Sequence, residues 1–268
     1  MLKDAKIGFL GAGRMATAIA GGLSRHGFAA DRVVAFDCAA AALEKFSRAS
    51  GGRTAASAAE MADRCEVILL AVKPQYLAAA LEPLRGMLRN KLVLSIVAGV
   101  KLEKLAALTG ATRIVRIMPN TPALVGAGCG AYAVSAAVTE DDRALALQVL
   151  ASIGEFGELA EDHLDAVTAL SGCGPAYVYE LIQAMADGGV TLGLPRDLAL
   201  KLAAETVRGA AMMVTATQTH PVELRDQVCS PGGATIAGVN ELARRGFRGA
   251  VIDAEIAAYG RSVELGRK

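Results

Sequence analysis

The sequence predicts an α/β protein with a doubly wound sheet in its N-terminal part and an all-α domain in its C-terminal part. Two observations carry this prediction. Up to about residue 160, short apolar runs alternate with helical patterns, which is typical of βαβ units. Beyond residue 160 only helical patterns remain. We therefore expect two domains that divide after residue 161, over residues 1–161 and 162–268.

Five apolar runs predict the strands of the sheet. They are rich in Val, Ile and Leu, as strands buried on both faces of a parallel sheet are. The runs are Lys6–Leu10, Arg32–Phe36, Glu66–Val72, Leu92–Ala98 and Arg113–Met118. Helical patterns lie between them, the first of which ends at Gly27, a suitable C-cap residue.

The C-terminal part contains several long helical patterns. The first is interrupted at Ser171–Pro175. A second begins with Pro195 at a plausible first helical position and Asp197 in the first turn. Runs of Ala and Gly along these helices, such as "ETVRGAAMMV", predict more apolar surface than one small domain needs. We expect this part to form a homodimer, and such dimers could assemble further into a larger homo-oligomer.

Charge and cysteine usage exclude several classes of protein. A net charge of +1 with no basic block gives no electrostatic basis for binding nucleic acid or an anionic membrane surface. No apolar run is long enough for a membrane span. Five cysteines without a Cys-x-x-Cys pair indicate free thiols and no metal site. We therefore expect a cytoplasmic protein with no metal, no nucleic-acid partner and no membrane partner.

The motif "GAGRMA" follows the first predicted strand and opens the first helix. Gly11 permits a tight turn, Gly13 allows a pyrophosphate to approach the backbone, and Ala16 takes the place of the third glycine. The N-terminus of the helix offers N–H donors and a favourable dipole. Because the motif lies between a strand and a helix, it predicts a dinucleotide-binding Rossmann domain over residues 1–161.

Three further positions at strand ends admit two interpretations each. Asp37 suits either the ribose hydroxyls of a dinucleotide or the start of the next helix. Lys73, in "AVKPQ", is either a cofactor contact or a surface lysine where a helix starts. Asn120, in "MPNTP", lies either in a ligand-binding turn or in a simple rigid turn.

The stretch "VCSPGGATIAGVNELARRG" places two glycines at the start of a helix. Glycines expose consecutive N–H groups at the positive end of the helix, which suits an anion. The alternative is a helix–loop–helix corner with Ser230 as its cap.

Taken together, the segments "IGFLGAGRMATAIAGGL", "AVKPQ", "SIVAGV", "RIMPNTP", "SGCGPAYVYELIQAMADGGVTLGLP" and "HPVELRDQVCSPGGATIAGVNELARRGFRGAVIDA" resemble the pyrroline-5-carboxylate reductases over nearly the whole chain. The resemblance implies an oxidoreductase that reduces L-1-pyrroline-5-carboxylate to L-proline with NADPH or NADH, the last step of proline biosynthesis. It also implies a helical domain that binds substrate and interleaves with that of a second copy.

The resemblance also implies roles for individual residues. The implied cofactor contacts are Gly11, Ala12, Gly13, Arg14, Met15, Ala71, Val72, Lys73 and Pro74, to which we add Asp37 and Asn120 from their places at the ends of predicted strands. The implied substrate contacts are Val228, Ser230, Gly232, Gly233 and Ala234, with Thr235 as the catalytic residue beside the ring nitrogen. Two positions depart from the family pattern. Cys173 stands where we expect Ser, and Asp37–Cys38 lacks the basic or small polar residues that accept a 2′-phosphate.

Two alternatives stay open at this point. A related enzyme could reduce another imine or a 3-hydroxy acid, but the latter needs a Lys or His general base, and the helical part offers only Lys201. A protein that binds the dinucleotide without turnover is the second alternative. The intact "SPGGAT" segment argues against it.

Overall fold

The computed structural model describes residues 5–266 and contains one eight-stranded sheet. The strands are β1 (Ile7–Leu10), β2 (Val33–Phe36), β3 (Arg53–Thr54), β4 (Val67–Leu70), β5 (Leu92–Ser95), β6 (Arg113–Met118), β7 (Gly128–Val134) and β8 (Gly154–Glu158). Their order across the sheet is β3-β2-β1-β4-β5-β6-β7-β8. The first six strands are parallel, and β7 and β8 run antiparallel to them.

Within residues 5–266, six α-helices lie among the strands of the sheet in the sequence or directly beside them, and six follow. The first six are α1 (Arg14–Arg25), α2 (Ala40–Ser50), α3 (Ala58–Asp63), α4 (Leu77–Leu81), α5 (Leu102–Thr109) and α6 (Glu140–Ala151). The later six are α7 (Leu164–Val167), α8 (Gly174–Thr191), α9 (Arg196–Thr217), α10 (Pro221–Gln227), α11 (Ala234–Arg244) and α12 (Phe247–Gly266). The predicted fold class, a doubly wound sheet followed by an all-α region, is confirmed.

Alternate residues of the strands pack into two separate cores, one on each face of the sheet. Phe9 contributes to the core under α1, α2 and α6, where its ring meets Phe46 edge-on with centroids 5.1 Å apart. Ile68 contributes to the core under α3, α4 and α5. The continuous apolar runs of the sequence follow from this double burial, since neither face of these strands meets water.

The chain divides into two compact units. The first extends to Cys173 and also includes the end of the chain from Ala258, and the second comprises Gly174–Ala257. In the second unit α8 packs along α9, with Ala186, Ala199 and Ala203 buried between them. None of the helices within residues 5–266 has the length and hydropathy required to cross a membrane.

The predicted interruption of the first C-terminal helix is a real feature. α7 runs into a π-helical segment over Thr168–Gly172, in which the Cys173 N–H bonds to the Thr168 carbonyl five residues earlier at 2.8 Å. α8 then begins at Gly174, directly before Pro175. π-Helical turns are rare and are often found at functional sites.

Candidate functional site

A cavity of about 510 Å³ lies at the carboxyl edge of the parallel strands. The register aligns Leu10, Phe36 and Leu70 at the ends of three adjacent strands, so the loops that follow these residues converge. The residues that line the cavity are Leu10, Gly11, Gly13, Phe36, Asp37, Cys38, Ala71, Val72, Lys73, Tyr76, Ala79 and Ala80. Ligands of open α/β sheets bind at this edge.

Gly11 is the residue that lets the loop after β1 turn over this edge. Its φ of +101° lies in the region that disfavours residues with a side chain. An added Cβ would lie 2.8 Å from the carbonyl oxygen of Ala71. At Gly13, by contrast, an added Cβ would meet nothing within 4 Å. The loop thus needs Gly11 for its own conformation, whereas the space above Gly13 is open to a ligand.

The N-terminus of α1 faces this open space. Gly13 is the N-cap and supplies no side chain to the first turn. The first intrahelical bond runs from the Thr17 N–H to the Gly13 carbonyl at 2.9 Å, so the N–H groups of the preceding turn need an external acceptor. Arg14 is exposed beside them and Met15 packs against the core. Such a terminus suits a phosphate group.

Asp37 connects the loops after β1 and β2. One carboxylate oxygen accepts the Ala12 N–H and the other accepts the Ala39 N–H, both at 2.8 Å. Because Ala39 is the N-cap of α2 and has no side-chain cap of its own, the carboxylate supports the start of that helix. Asp37 also lines the cavity, so the structure accommodates both interpretations of this residue.

The loop after β4 forms the opposite wall of the cavity. Ala71 and Val72 line it, and Lys73 is an exposed N-cap followed by Pro74 at the first position of a 3-10 turn. Tyr76, which is 60% exposed, also lines the cavity and was not predicted from the sequence. The sequence feature that could have pointed to Tyr76 is its position as an aromatic residue directly after the motif "AVKPQ" at the end of the strand.

Asn120 lies apart from this cavity, and its side chain points inward. The residue is 6% exposed. Its amide nitrogen donates to the Ser171 carbonyl at 3.0 Å, and its amide oxygen accepts the Cys129 N–H at 2.9 Å. A cofactor contact by Asn120 would therefore have to come from its backbone, and this contact stays a prediction.

In the second unit, the segment between α10 and α11 forms a tight turn. The Gly233 N–H donates to the Ser230 carbonyl at 3.0 Å, with Pro231 and Gly232 as the central residues. Gly232 has a φ of +68°, as the third position of a type II turn requires. A Cβ on Gly233 would lie 2.3 Å from the Ser230 hydroxyl oxygen. The backbone conformation of Gly232 therefore requires glycine, whereas a side chain at Gly233 would displace the Ser230 hydroxyl, which can rotate away.

The start of α11 presents free donors beside this turn. Its first intrahelical bond is from the Ala237 N–H to the Gly233 carbonyl, which leaves the N–H groups of Ala234 and Thr235 without a helical acceptor. Thr235 is exposed, and its hydroxyl has no hydrogen-bond partner in the part of the chain that the structure describes. Val228, the C-cap of α10, is 64% exposed nearby in sequence. The arrangement can hold a small anion and offer one hydroxyl.

His26, His220 and Lys201 have ordinary environments. His26 bonds to the Gly22 carbonyl at 2.9 Å, and His220 accepts the Val222 N–H as a helix cap. Lys201 is exposed on α9. Burial raises the pKa of the Cys65 thiol to about 11, which makes it a poor nucleophile. No group of three potential metal ligands occurs within residues 5–266.

Comparison with known proteins covers both parts of the chain. A family model described as pyrroline-5-carboxylate reductase dimerisation matches residues 161–265. A model described as NADP oxidoreductase coenzyme F420-dependent matches residues 6–99. A pyrroline-5-carboxylate reductase from Pisum sativum is 45% identical over 262 residues, which cover 97% of this chain and 95% of the plant protein.

Two solved structures extend the similarity to the fold. A pyrroline-5-carboxylate reductase from Coxiella burnetii superposes with a TM-score of 0.92 at 34% identity and covers 97% of this chain and 98% of that one. A pyrroline carboxylate reductase from Plasmodium falciparum with NADP bound gives a TM-score of 0.88 at 33% identity, over 98% and 99% of the two chains.

Proposed function

This chain belongs to the pyrroline-5-carboxylate reductase family, and from that premise we propose how its residues perform the reaction. The enzyme reduces L-1-pyrroline-5-carboxylate to L-proline, the final step of proline biosynthesis, and uses NAD(P)H. The observation that carries this conclusion is the similarity over nearly the full length of the chain, which spans both the cavity and the turn before α11.

The first unit binds the dinucleotide at the carboxyl edge of the sheet. The residues present fit such a group, since Gly11 can only be glycine and the space above Gly13 is open. The N–H groups at the start of α1 would hold the pyrophosphate. Asp37 would face the adenosine ribose, and Ala71–Pro74 would form the other wall. When bound, NAD(P)H supplies the hydride.

The turn before α11 binds the substrate. Pyrroline-5-carboxylate is a five-membered cyclic imine that carries a carboxylate. The free N–H groups of Ala234 and Thr235 at the start of α11 would hold this carboxylate without a basic side chain, because charge-assisted bonds to backbone N–H groups are strong. Val228, Ser230 and Gly232 would enclose the ring.

Thr235 orients the imine. A protonated imine accepts a hydride readily, so the protein needs to hold the ring carbon in position more than it needs an acid–base pair. Positioning of this kind can lower a barrier by roughly 7–11 kcal/mol. The exposed Thr235 hydroxyl in the first turn of α11 is suited to bond the ring nitrogen.

The helical part is the dimerisation element, and we place the functional boundary after residue 161. Two observations support a homodimer: the family model for dimerisation begins at residue 161, and the second unit exposes many large apolar side chains. Five free thiols support a cytoplasmic location. A net charge of +1 supports a small-molecule substrate without nucleic-acid or membrane partners.

Substitution of Thr235 tests the site. Thr235→Ala should lower kcat/KM for pyrroline-5-carboxylate by about 10- to 1,000-fold, the effect of one lost hydrogen bond together with misorientation. NAD(P)H affinity should stay nearly intact, and Thr235→Ser should retain much more activity because it keeps the hydroxyl. The assay is NADH and NADPH consumption with the imine.

The same variants distinguish catalysis from helix capping. A first-turn stabiliser is worth about 1 kcal/mol, so the melting temperature is measured in parallel. A Thr235→Ala enzyme with normal turnover and lowered stability would overturn the catalytic assignment. A wild-type enzyme that consumes neither cofactor with the imine would overturn the proposed activity itself.

A further inference from the structure

Asn120 lies two residues after the end of β6, at the carboxyl edge of the sheet. A dinucleotide lies across the two halves of a doubly wound sheet, and Asp37 belongs to the half that takes the adenosine. β6 belongs to the other half. The turn that contains Asn120 therefore borders the nicotinamide end of the proposed cofactor site.

Both polar atoms of the Asn120 side chain are used inside the protein. The amide oxygen accepts the Cys129 N–H at the start of β7, and the amide nitrogen donates to the Ser171 carbonyl and lies 3.4 Å from the Cys129 sulfur. One buried side chain thus joins the turn after β6 to β7 and to the π-helical segment Thr168–Gly172.

The Ser171 carbonyl lacks its usual helical donor because a proline occupies the donor position. In a regular α-helix it would accept the N–H of residue 175. Residue 175 is Pro175, which has no N–H. The Asn120 amide supplies the bond that the proline cannot make, at the point where the chain leaves the first unit.

The same π-helical segment also lies close to the end of β6, at Gly172 and Met118. A Cβ added to Gly172 would lie 2.6 Å from the terminal methyl carbon of Met118. Glu161, at the other end of this connecting segment, accepts from the buried Arg116 of β6 at 2.8 Å and from the Leu102 N–H at 2.7 Å. The segment from Glu161 to Ser171 is therefore bonded to β6 at one end and to the turn after β6 at the other.

We infer that Asn120 is a positioning residue for the reduction and acts without a side-chain contact to the cofactor. Its amide holds the turn at the nicotinamide end against Ser171, three residues before α8 begins. α8 in turn leads into the unit that carries Thr235. The inference rests on the proposed function, which assigns the nicotinamide to the turn after β6 and the substrate to the unit that carries Thr235.

The test is a double-mutant cycle between Asn120 and Pro175. Asn120→Ala should lower kcat by about 10- to 100-fold, the scale of a small misplacement of reacting groups. The Kd for NADPH, measured by its fluorescence without substrate, should change little. Pro175→Ala restores an N–H four residues after Ser171, so Asn120→Ala should cost much less kcat in the Pro175→Ala background.

Two further variants separate the loss of the bond to Ser171 from a general loss of stability. Asn120→Asp has the same shape and keeps the acceptor for Cys129 but loses the donor to Ser171, so it should show most of the kcat loss even if Asn120→Ala does not fold. Thr109→Ala is the matched control. The Thr109 hydroxyl is buried and donates to the Leu105 carbonyl at the end of α5, so its loss should lower stability and leave kcat unchanged.

Several outcomes would overturn the inference. Loss of NADPH affinity with normal kcat at saturation would make Asn120 a direct cofactor ligand. A fall in melting temperature with no change in kcat, or an equal kcat loss in both Pro175 backgrounds, would leave it without a positioning role through Ser171. Inactive wild-type enzyme with NADPH binding intact would contradict the proposed function alone, since a smaller loss of melting temperature from Asn120→Ala in the Pro175→Ala background would still report on the Asn120–Ser171 bond.

Discussion

Asp37 shows how one carboxylate can serve structure and recognition together. Its two oxygens accept the N–H groups of Ala12 and Ala39, which orients the loop after β1 and the start of α2. A carboxylate oxygen can accept more than one hydrogen bond, so these two bonds leave acceptor capacity toward the cavity. A negative charge at this position also repels a 2′-phosphate.

We predict that Asp37 weakens any preference for NADPH. Asp37→Ser should raise kcat/KM for NADPH relative to NADH, because the substitution removes a like charge that can cost several kcal/mol against a phosphate. The ratio is the informative quantity. Damage to the loop from the lost Ala12 bond affects both cofactors equally, since they share the pyrophosphate.

Steady-state kinetics with both cofactors measure this ratio. Asp37→Asn is the companion variant, which removes the charge and keeps a planar side chain with one acceptor oxygen. If the ratio is the same in the wild type and both variants, Asp37 acts only on the backbone N–H groups of Ala12 and Ala39.

At the scale of elements, the edge formed by β7 and β8 depends on glycine. Gly154 opens β8 with a φ of +149°, and an added Cβ there would lie 1.8 Å from the Gly128 carbonyl oxygen of β7. A Cβ on Gly130 would lie 2.0 Å from the Met118 carbonyl oxygen of β6. These clashes are with backbone, which cannot rotate away, so side chains are excluded at both positions.

Gly154→Ala should destabilise the protein far more than Gly157→Ala. The former forces a side chain into backbone and into a disfavoured φ, at a cost of about 2 kcal/mol or more. The latter lies on the same strand, and its Cβ would meet nothing within 4 Å. For a chain of this size we expect the melting temperature to fall by at least about 5 °C for Gly154→Ala.

Thermal unfolding followed by circular dichroism compares the two variants under identical conditions. Equal melting temperatures for Gly154→Ala and Gly157→Ala would show that β7 and β8 can separate at this point without cost. The role we give to glycine at the sheet edge would then be wrong.

At the scale of the whole molecule, the second unit has little core of its own. The hydrophobic side chains of Gly174–Ala257 that are buried belong to three alanines, at 186, 199 and 203. Large apolar side chains are exposed instead, among them Leu192 at 86% and Ile256 at 63%. Each such side chain gains about 1.5–3 kcal/mol when it is buried. A second copy of the chain is the proposed source of that burial.

Ile256→Glu should therefore disrupt the dimer. A charge placed in an obligate interface must lose its water without a partner, which is costly. Leu147→Glu is the matched control, because Leu147 is also exposed, at 42%, but lies on α6 of the first unit. Size-exclusion chromatography with light scattering measures the oligomeric state of both variants at micromolar concentration.

We expect the Leu147 variant to stay dimeric and the Ile256 variant to become monomeric or to lose soluble, folded protein. A monodisperse wild-type monomer would contradict the dimer proposal outright. An unchanged dimer in the Ile256→Glu variant would place the interface elsewhere on the chain.

The sequence by itself determined the fold class, the five principal parallel strands and the glycine-rich loop. It did so because a strand buried on both faces needs a continuous apolar run, and because a backbone with the φ of Gly11 needs glycine. The short β3 and the glycine-rich β7 and β8 carry no such run. Their pairing is decided by contacts with strands distant in sequence.

Tertiary structure alone decided where the polar side chains of the site point. "MPNTP" predicts a turn, but only the approach of Ser171, 51 residues later, directs the Asn120 amide inward. Likewise, Asp37 bonds to Ala12 across 25 residues, and Tyr76 reaches the cavity because β4 lies beside β1. A hydrogen bond depends on geometry within a few tenths of an ångström, and local sequence patterns do not specify the distance between segments far apart in the chain.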